Sequence, residues 1–375
     1  MRDASNAIRS TQCDIEHAIY AIQLFPMIKV LIVDDSLFMR RLVSDTLNCD
    51  PEIEVIGTAK EGHEAMKKIS NLKPDCVTLD LVMPGWDGLT TLKHIMAEYP
   101  TPVVILSAYS KKDADVTIEC LNAGAASFIL KPSGELSLDI EKIKEKLIEE
   151  VKATSRINIS KLKSLVAKKS RKPRRKLVGI NNIIVIGAST GGPQTLKAVL
   201  SSLPSDFPVP IIIVQHMPNR FFTESLAERL NDNCRLEVKV AEDKEIIQKG
   251  KVYLAPGGFR ATVKAKWIPG KERRMRESII CLKEDEPDSL SPSIDVAMKS
   301  VADAYNRKSI GIILTGMGND GVEGMRAIKE SGGKTIVQDE SALIFGMPKV
   351  VSEAGLADKI LHASDMSNAM LELVS

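Results

Sequence analysis

Ser189 follows the β-branched run Ile183-Ile184-Val185-Ile186 and lies in the turn Gly187-Ala188-Ser189-Thr190-Gly191-Gly192-Pro193. The run is too short and too branched for a helix and predicts a buried strand. Pro193 opens a stretch to Ser201 with apolar residues at helical spacing, and proline suits a first helical turn. A strand, tight turn and helix in succession place the turn at the carboxyl edge of a parallel sheet, where open α/β folds build their sites. A hydroxyl beside free backbone N–H groups there is placed to act as a nucleophile with an oxyanion pocket. Two other uses stay open, a plain strand-to-helix connection and a phosphate cradle. The spacing Gly187 to Gly192 fits the start of a P-loop, but Pro193 holds the lysine position and no G-x-G-x-x-G is present.

A nucleophile needs a base and an orienting acid. His216, in Gln215-His216-Met217-Pro218, follows the apolar strand Ile211 to Val214. Asp320 lies in Thr315-Gly316-Met317-Gly318-Asn319-Asp320-Gly321, after the strand Ser309 to Leu314. One sheet can bring these three strand ends together. His216 would then take the serine proton, and Asp320 would fix its tautomer. The alternatives are a histidine without a catalytic role and an aspartate capping the helix that starts near Val322. The chain order Ser…His…Asp differs from that of α/β-hydrolases, so that broader family lends no support.

A second constellation lies upstream. Asp34 and Asp35 follow one predicted strand, Asp80 another, Ser107 ends a fourth and Lys131 a fifth. Crowded carboxylates repel, and a hard divalent cation with oxygen ligands, such as Mg²⁺, relieves this. A carboxylate neutralised in that way can attack a phosphoryl donor, with the lysine and hydroxyl holding the phosphoryl oxygens. Taken singly, Asp34-Asp35 could cap a helix and Lys131 could be a solvated charge.

The elements that must position these groups alternate. Strands at Ile28 to Val33, Ile53 to Gly57, Cys76 to Leu79, Val103 to Leu106 and Ser127 to Leu130 are each followed by a helical pattern, the last spanning about Ser137 to Lys152. That succession predicts a doubly wound parallel sheet. From Ile183 a second α/β pattern begins, with a hairpin from Thr262 to Trp267 and Ser278 to Leu282 and a helix from Ser293 to Val301. The expected domains are an N-terminal extension (1–26), a first domain (27–150), a basic linker (151–180) and a second domain (181–375).

The chain's 375 residues suffice for two cores. Lys+Arg 51 against Asp+Glu 49 leaves +2, which points to no polyanionic partner. Arg156 to Lys176 is rich in lysine and arginine, but no aromatic interleaves the charges, so a solvated tether is expected rather than a nucleic-acid site. No apolar run approaches a membrane span, and residues 1–26 lack a signal pattern. Six scattered cysteines without metal-type spacing suit a reducing cytoplasm.

Residues 28 to about 150 resemble a response-regulator receiver domain, through Leu31-Ile32-Val33-Asp34-Asp35-Ser36, Asp80-Leu81-Val82-Met83-Pro84-Gly85-Trp86-Asp87-Gly88, Leu106-Ser107-Ala108 and Phe128-Ile129-Leu130-Lys131-Pro132. The resemblance implies Asp80 as phospho-acceptor and Asp34, Asp35 and Asp80 around Mg²⁺, with a backbone carbonyl near Val82. It also implies Ser107 and Lys131 as sensors of the phosphoryl group, Phe128 as a switching aromatic, and a histidine kinase as phosphodonor.

Residues 183 to about 370 resemble the catalytic domain of chemotaxis protein-glutamate methylesterases. The matching motifs are the Ser189 turn, Gln215-His216-Met217-Pro218, Leu254-Ala255-Pro256-Gly257-Gly258, Pro292-Ser293-Ile294-Asp295 and Leu314 to Gly321. This implies a cytoplasmic serine esterase, expected as a monomer and without a cofactor in this domain, acting on glutamate γ-methyl esters of methyl-accepting chemoreceptors. In some relatives glutamine is also deamidated. Ser189 would be nucleophile, His216 base, Asp320 orienting acid and the Met317 amide an oxyanion donor. Two positions depart from the family pattern, Asn319 in place of alanine and Ser291 in place of arginine. Phosphorylation of Asp80 is expected to move the receiver off the catalytic face. The rival functions are a phospho-dependent docking module without chemistry and a DNA-binding output through the basic linker.

Overall fold

The computed structural model describes residues 27–131, 138–164, 181–267, 276–285 and 292–374. The expectations for residues 1–26, for most of the basic linker (165–180) and for Pro132 and Ser291 lie outside them. Among the described residues no helix is long and apolar enough to cross a membrane.

By spatial contact the chain separates into two compact units. Among the described residues, one comprises those up to Leu106 with those of 131–155, the other those of 107–130 with those from 156 onward. The first sheet has five strands, β1 (Ile28–Val33), β2 (Ile53–Ala59), β3 (Cys76–Asp80), β4 (Val103–Ser107) and β5 (Ser127–Leu130), in the order β2-β1-β3-β4-β5. Between them run α1 (Leu37–Leu47), α2 (Gly62–Leu72), α3 (Gly88–Glu98) and α4 (Lys111–Ala123), with α5 (Leu138–Ser155) and α6 (Ile159–Ser164) after β5. Strands β1 and β3 pair in parallel, so the residues after each leave the same edge. The order reverses between them, which makes that edge a crevice.

The second sheet is parallel throughout and seven-stranded: β6 (Ile183–Ala188), β7 (Ile211–Gln215), β8 (Glu237–Val240), β9 (Lys251–Leu254), β12 (Ser309–Ile313), β13 (Lys334–Gln338) and β14 (Lys359–Leu361). Its order is β14-β13-β12-β6-β7-β9-β8. Chain growth moves from β6 to β7 on one side and later returns to β12 on the other, so β6 flanks the reversal. The antiparallel hairpin β10 (Phe259–Trp267) with β11 (Arg276–Glu284) stands apart from the sheet. Helices α7 (Gly192–Leu200), α8 (Arg220–Asn233), α9 (Ile294–Tyr305), α10 (Val322–Glu330), α11 (Met347–Glu353) and α12 (Ala363–Leu373) complete this part.

Ile183, Val185, Ile212, Val214, Ile313 and Val337 carry the core beneath the site. Each such side chain, when fully buried, contributes about 1.5–3 kcal/mol. Gly187 is required at its place in β6, because a Cβ there would meet Ile294 Cγ2 at 2.5 Å and Ile313 Cδ1 at 2.9 Å. The glycine lets the first turn of α9 lie directly on the strand. Within the second unit, Gln194 Nε2 donates to the carbonyls of Leu121 and Ala125 at 3.1 and 2.7 Å. The rings of Phe128 and Phe222 stack there, with centroids 4.8 Å apart.

Candidate active site

Ser189 sits one residue past β6. Its N–H donates to Thr315 O at 3.0 Å, and its own carbonyl accepts from Gly192 N–H at 2.7 Å. Gly191, at φ +75°, closes the turn in the left-handed region and allows α7 to begin at once with Pro193 in its first turn. His216 follows β7 in the same way, its N–H donating to Ala188 O at 3.1 Å. The side chain of Gln215 ties the two turns together, Nε2 donating to Ser189 O at 3.0 Å and to His216 O at 3.1 Å.

The three predicted side chains meet. His216 Nδ1 lies 3.1 Å from Ser189 Oγ, and Nε2 lies 2.9 Å from Asp320 Oδ2. The ring therefore spans hydroxyl and carboxylate. When Nε2–H donates to Asp320, the Nδ1 lone pair is free to receive the serine proton. Asp320 is also held by the start of α9: Oδ2 accepts Ile294 N–H at 2.7 Å, and Oδ1 accepts Asp295 N–H at 2.9 Å and Ser293 Oγ–H at 3.4 Å. Burial alone would raise its pKa. Hydrogen bonds from His216 and from the Asp295 and Ile294 amides outweigh burial and hold the carboxyl below the usual range. Asp320 stays anionic where imidazole chemistry operates.

Asp320 is thus a helix cap after all, but not of the helix beginning near Val322. That helix is α10, whose N-cap is Gly321 without a side-chain cap, while Asp320 accepts the first two amides of α9 beside that helix's own N-cap, Ser293. Met317 lies in the loop between Gly316 and Gly318, whose φ is +90°. That loop is pinned by Gly316 N–H donating to Ile344 O and by Met347 N–H donating to Gly316 O, bonds in which the Met317 amide takes no part. Asn319 is exposed in the same loop.

Sequence reasoning assigned no role to Gln215, Thr315 or Gln338. Thr315 Oγ donates to Thr190 O and Thr315 N–H donates to Gln338 Oε1, both at 2.9 Å, which locks the Ser189 and Asp320 loops together. The available signal was a polar residue at the end of an otherwise apolar strand, a position that burial makes costly unless it is hydrogen-bonded.

At the crevice of the first sheet, carboxylate oxygens of Asp34, Asp35 and Asp80 lie within 4.8 Å of one another. Lys131 Nζ lies 2.8 Å from both Asp34 Oδ2 and Asp80 Oδ2. Asp34 does not cap α1. Ser36 does, accepting from Met39 N–H, while Asp34 Oδ1 accepts Ser36 N–H at 2.9 Å. Val82 N–H donates to Asp80 Oδ1 at 3.3 Å. Burial pushes the Asp80 carboxyl up against the opposing pull of Lys131. For Lys131, burial works to lower the pKa, but the ion pairs with Asp34 and Asp80 prevail and raise it. The hydroxyl of Ser107 is engaged by Thr117 at 2.8 Å and by Ala108 O at 3.3 Å, not by the carboxylates.

An acidic crevice of receiver type and a Ser–His–Asp triad at the reversal of a second α/β sheet define a hydrolase coupled to a phosphorylation switch. The family model for the response regulator receiver domain matches residues 30–142, and the one described as CheB methylesterase matches residues 184–370. A protein-glutamate methylesterase/protein-glutamine glutaminase of Halalkalibacterium halodurans is 43% identical over 92% of this chain and 97% of its own length. That of Thermotoga maritima is 41% identical over 93% and 99%. The crystal structure of the Thermotoga maritima CheB methylesterase catalytic domain is 42% identical, covering 52% of this chain and 100% of that chain, at a TM-score of 0.48. The chain belongs to the CheB family of protein-glutamate methylesterases that carry a receiver domain.

Proposed function

We propose that this chain hydrolyses glutamate γ-methyl esters of chemoreceptors, and deamidates glutamine at such sites, with Ser189, His216 and Asp320 as the triad. The observation that carries the reading is the His216 ring in hydrogen-bond contact with Ser189 Oγ on one side and Asp320 on the other. Ser189 Oγ attacks the ester carbonyl as its proton passes to His216 Nδ1. Asp320 stabilises the imidazolium, and the Met317 amide receives the developing oxyanion. Collapse breaks the C–O bond, and His216 returns the proton to the leaving methoxide as methanol. Water, deprotonated by His216, then attacks the acyl-serine; the C–Oγ bond breaks, His216 returns the proton to Ser189 Oγ, and the glutamate side chain is released. With glutamine the same steps expel ammonia, because the acyl carbon and oxyanion are common to both substrates.

In this reading residues 27–150 are the receiver, 151–180 the tether and 181–375 the catalytic domain of a cytoplasmic monomer. A histidine kinase supplies the phosphoryl group to Asp80. The oxygen donors of Asp34, Asp35 and Asp80 suit a hard divalent cation such as Mg²⁺, which would neutralise charge during phosphoryl transfer. Lys131 holds the acidic side chains in place and, with Ser107, senses the phosphoryl group. The deciding measurement is methanol release from methylated receptor membranes. Ser189→Ala should reduce it by at least 10³-fold, on the order seen for removal of a triad nucleophile. A Ser189→Ala protein that still releases methanol at near the wild-type rate overturns the assignment.

A further inference from the structure

Asp320 lends its carboxylate to α9, and α9 lends one back. Asp295, the second residue of α9, accepts Gly321 N–H at 2.9 Å and Gly324 N–H at 2.6 Å through Oδ1. These amides belong to the start of α10, whose own N-cap, Gly321, supplies no side-chain acceptor. Two helix N-termini are therefore tied reciprocally: Asp320, just before α10, accepts the first two amides of α9 alongside its N-cap Ser293, and Asp295, in the first turn of α9, accepts amides at the start of α10. The exchange needs close approach, and glycine provides it. A Cβ on Gly324 would lie 2.5 Å from Met298 Cβ and 3.2 Å from Asp295 Cα.

We infer that Asp295 is a positioning residue of the esterase, fixing the Asp320 carboxylate on His216 Nε2 by gripping the backbone on the C-terminal side of Asp320. The inference rests on the triad assignment. A single-residue anchor is expected to matter here, because Asp320 stands between Gly318 and Gly321, both at positive φ (+90° and +104°), downstream of the bonds that pin this loop at Gly316. The bonds that Asp320 makes to Ile294 and Asp295 fix its side chain to α9. The bonds that Asp295 makes to Gly321 and Gly324 fix its main chain to the same helix. Without the second pair, side chain and backbone of Asp320 are no longer referred to one rigid element. The charged groups acting on Asp295 are Asp320, which with burial raises its pKa, and Lys299 on its own helix, which lowers it.

The test is steady-state methanol release by the full-length protein on methylated receptor membranes, comparing wild type, Asp295→Ala, Asp295→Asn and Ser189→Ala. Asp295→Ala should lose about 10–100-fold in kcat with KM within about twofold, the signature of a displaced catalytic group rather than weaker substrate binding. Asp295→Asn keeps an acceptor for Gly321 and Gly324, and should recover kcat to within about threefold of wild type. If Asp295→Ala does not fold, Asp295→Asn decides by kcat, and a loss beyond about tenfold despite the retained acceptor overturns the inference. So does a folded Asp295→Ala protein with wild-type kcat. Activity surviving in Ser189→Ala would instead defeat the triad itself, which keeps the two failures apart.

Discussion

The imidazole of His216 turns Nδ1 toward Ser189 Oγ and Nε2 toward Asp320, so the carboxylate approaches from the far side of the ring, over the start of α9. This follows from where the strands end. His216 leaves β7 and Asp320 leaves the loop after β12, on opposite sides of β6. Replacing Asp320 by Asn removes the charge that stabilises the imidazolium and disturbs the tautomer, and should lower kcat by on the order of 10³–10⁴-fold. The stability effect carries a definite pH sign. Because the Asp320 carboxyl is held low, its contribution is fully present above the unfolded value of about 3.9 and is lost as pH falls through the lower folded value. The melting-temperature gap between wild type and Asp320→Asn should be constant from neutral pH to about 5 and close below about 4, as scanning calorimetry would show. That Ser189, His216 and Asp320 would meet was legible in the sequence because each lies beyond the end of an apolar strand of one sheet. The work of Gln215 and Asp295 was not, because it rests on side-chain bonds to the main chain of Ser189, Gly321 and Gly324, each 26 or more positions away, and sequence spacing says nothing of these.

At the scale of elements, the strands that carry the sites were readable because two-sided burial demands continuous β-branched runs. Strands β8 and β14 were not anticipated. Both are short edge strands with exposed residues, and they offer no apolar run to read. The hairpin is longer than its apolar residues suggested, because antiparallel pairing continues through polar positions from Phe259↔Glu284 to Trp267↔Arg276. Gly316 offers a sharp test of how tightly the loops are set. A Cβ there would lie 2.7 Å from Ser189 Cβ and 2.6 Å from Met347 Sδ. The thioether can turn aside, but the Ser189 Cβ moves only with its backbone. Gly316→Ala should therefore cost about 1–3 kcal/mol in urea denaturation, as overpacking does. It should also reduce kcat by about 10–100-fold in the remaining folded protein, because the nucleophile is pushed from its place against His216.

Across the whole molecule, two acid-bearing crevices at two sheet reversals were predictable from the repeated strand–helix pattern. The seven-stranded order was not, since nothing in a run of isoleucines specifies its neighbour. The first crevice sets the last expectation. Asp34, Asp35 and Asp80 bring three negative charges, and Lys131 returns one positive, so two remain uncompensated when all are ionised. A divalent cation cancels these two charges, and one that binds the folded chain alone stabilises it by about 2.7 kcal/mol at a hundred times its Kd. Mg²⁺ should accordingly raise the melting temperature of the wild-type protein and do so far less in Asp80→Asn. The Asp80 carboxyl is raised by burial, so protons compete with the cation earlier than at an ordinary aspartate. The Mg²⁺-induced shift should weaken as pH falls, beginning at a higher pH than an ordinary aspartate would set, in step with Asp80 protonation. A small acyl phosphate with Mg²⁺ should then speed methanol release by the full chain, a response that chelation or Asp80→Asn removes while basal hydrolysis persists. Equal rates with and without the phosphodonor would mean that the crevice, whatever it binds, does not govern the triad.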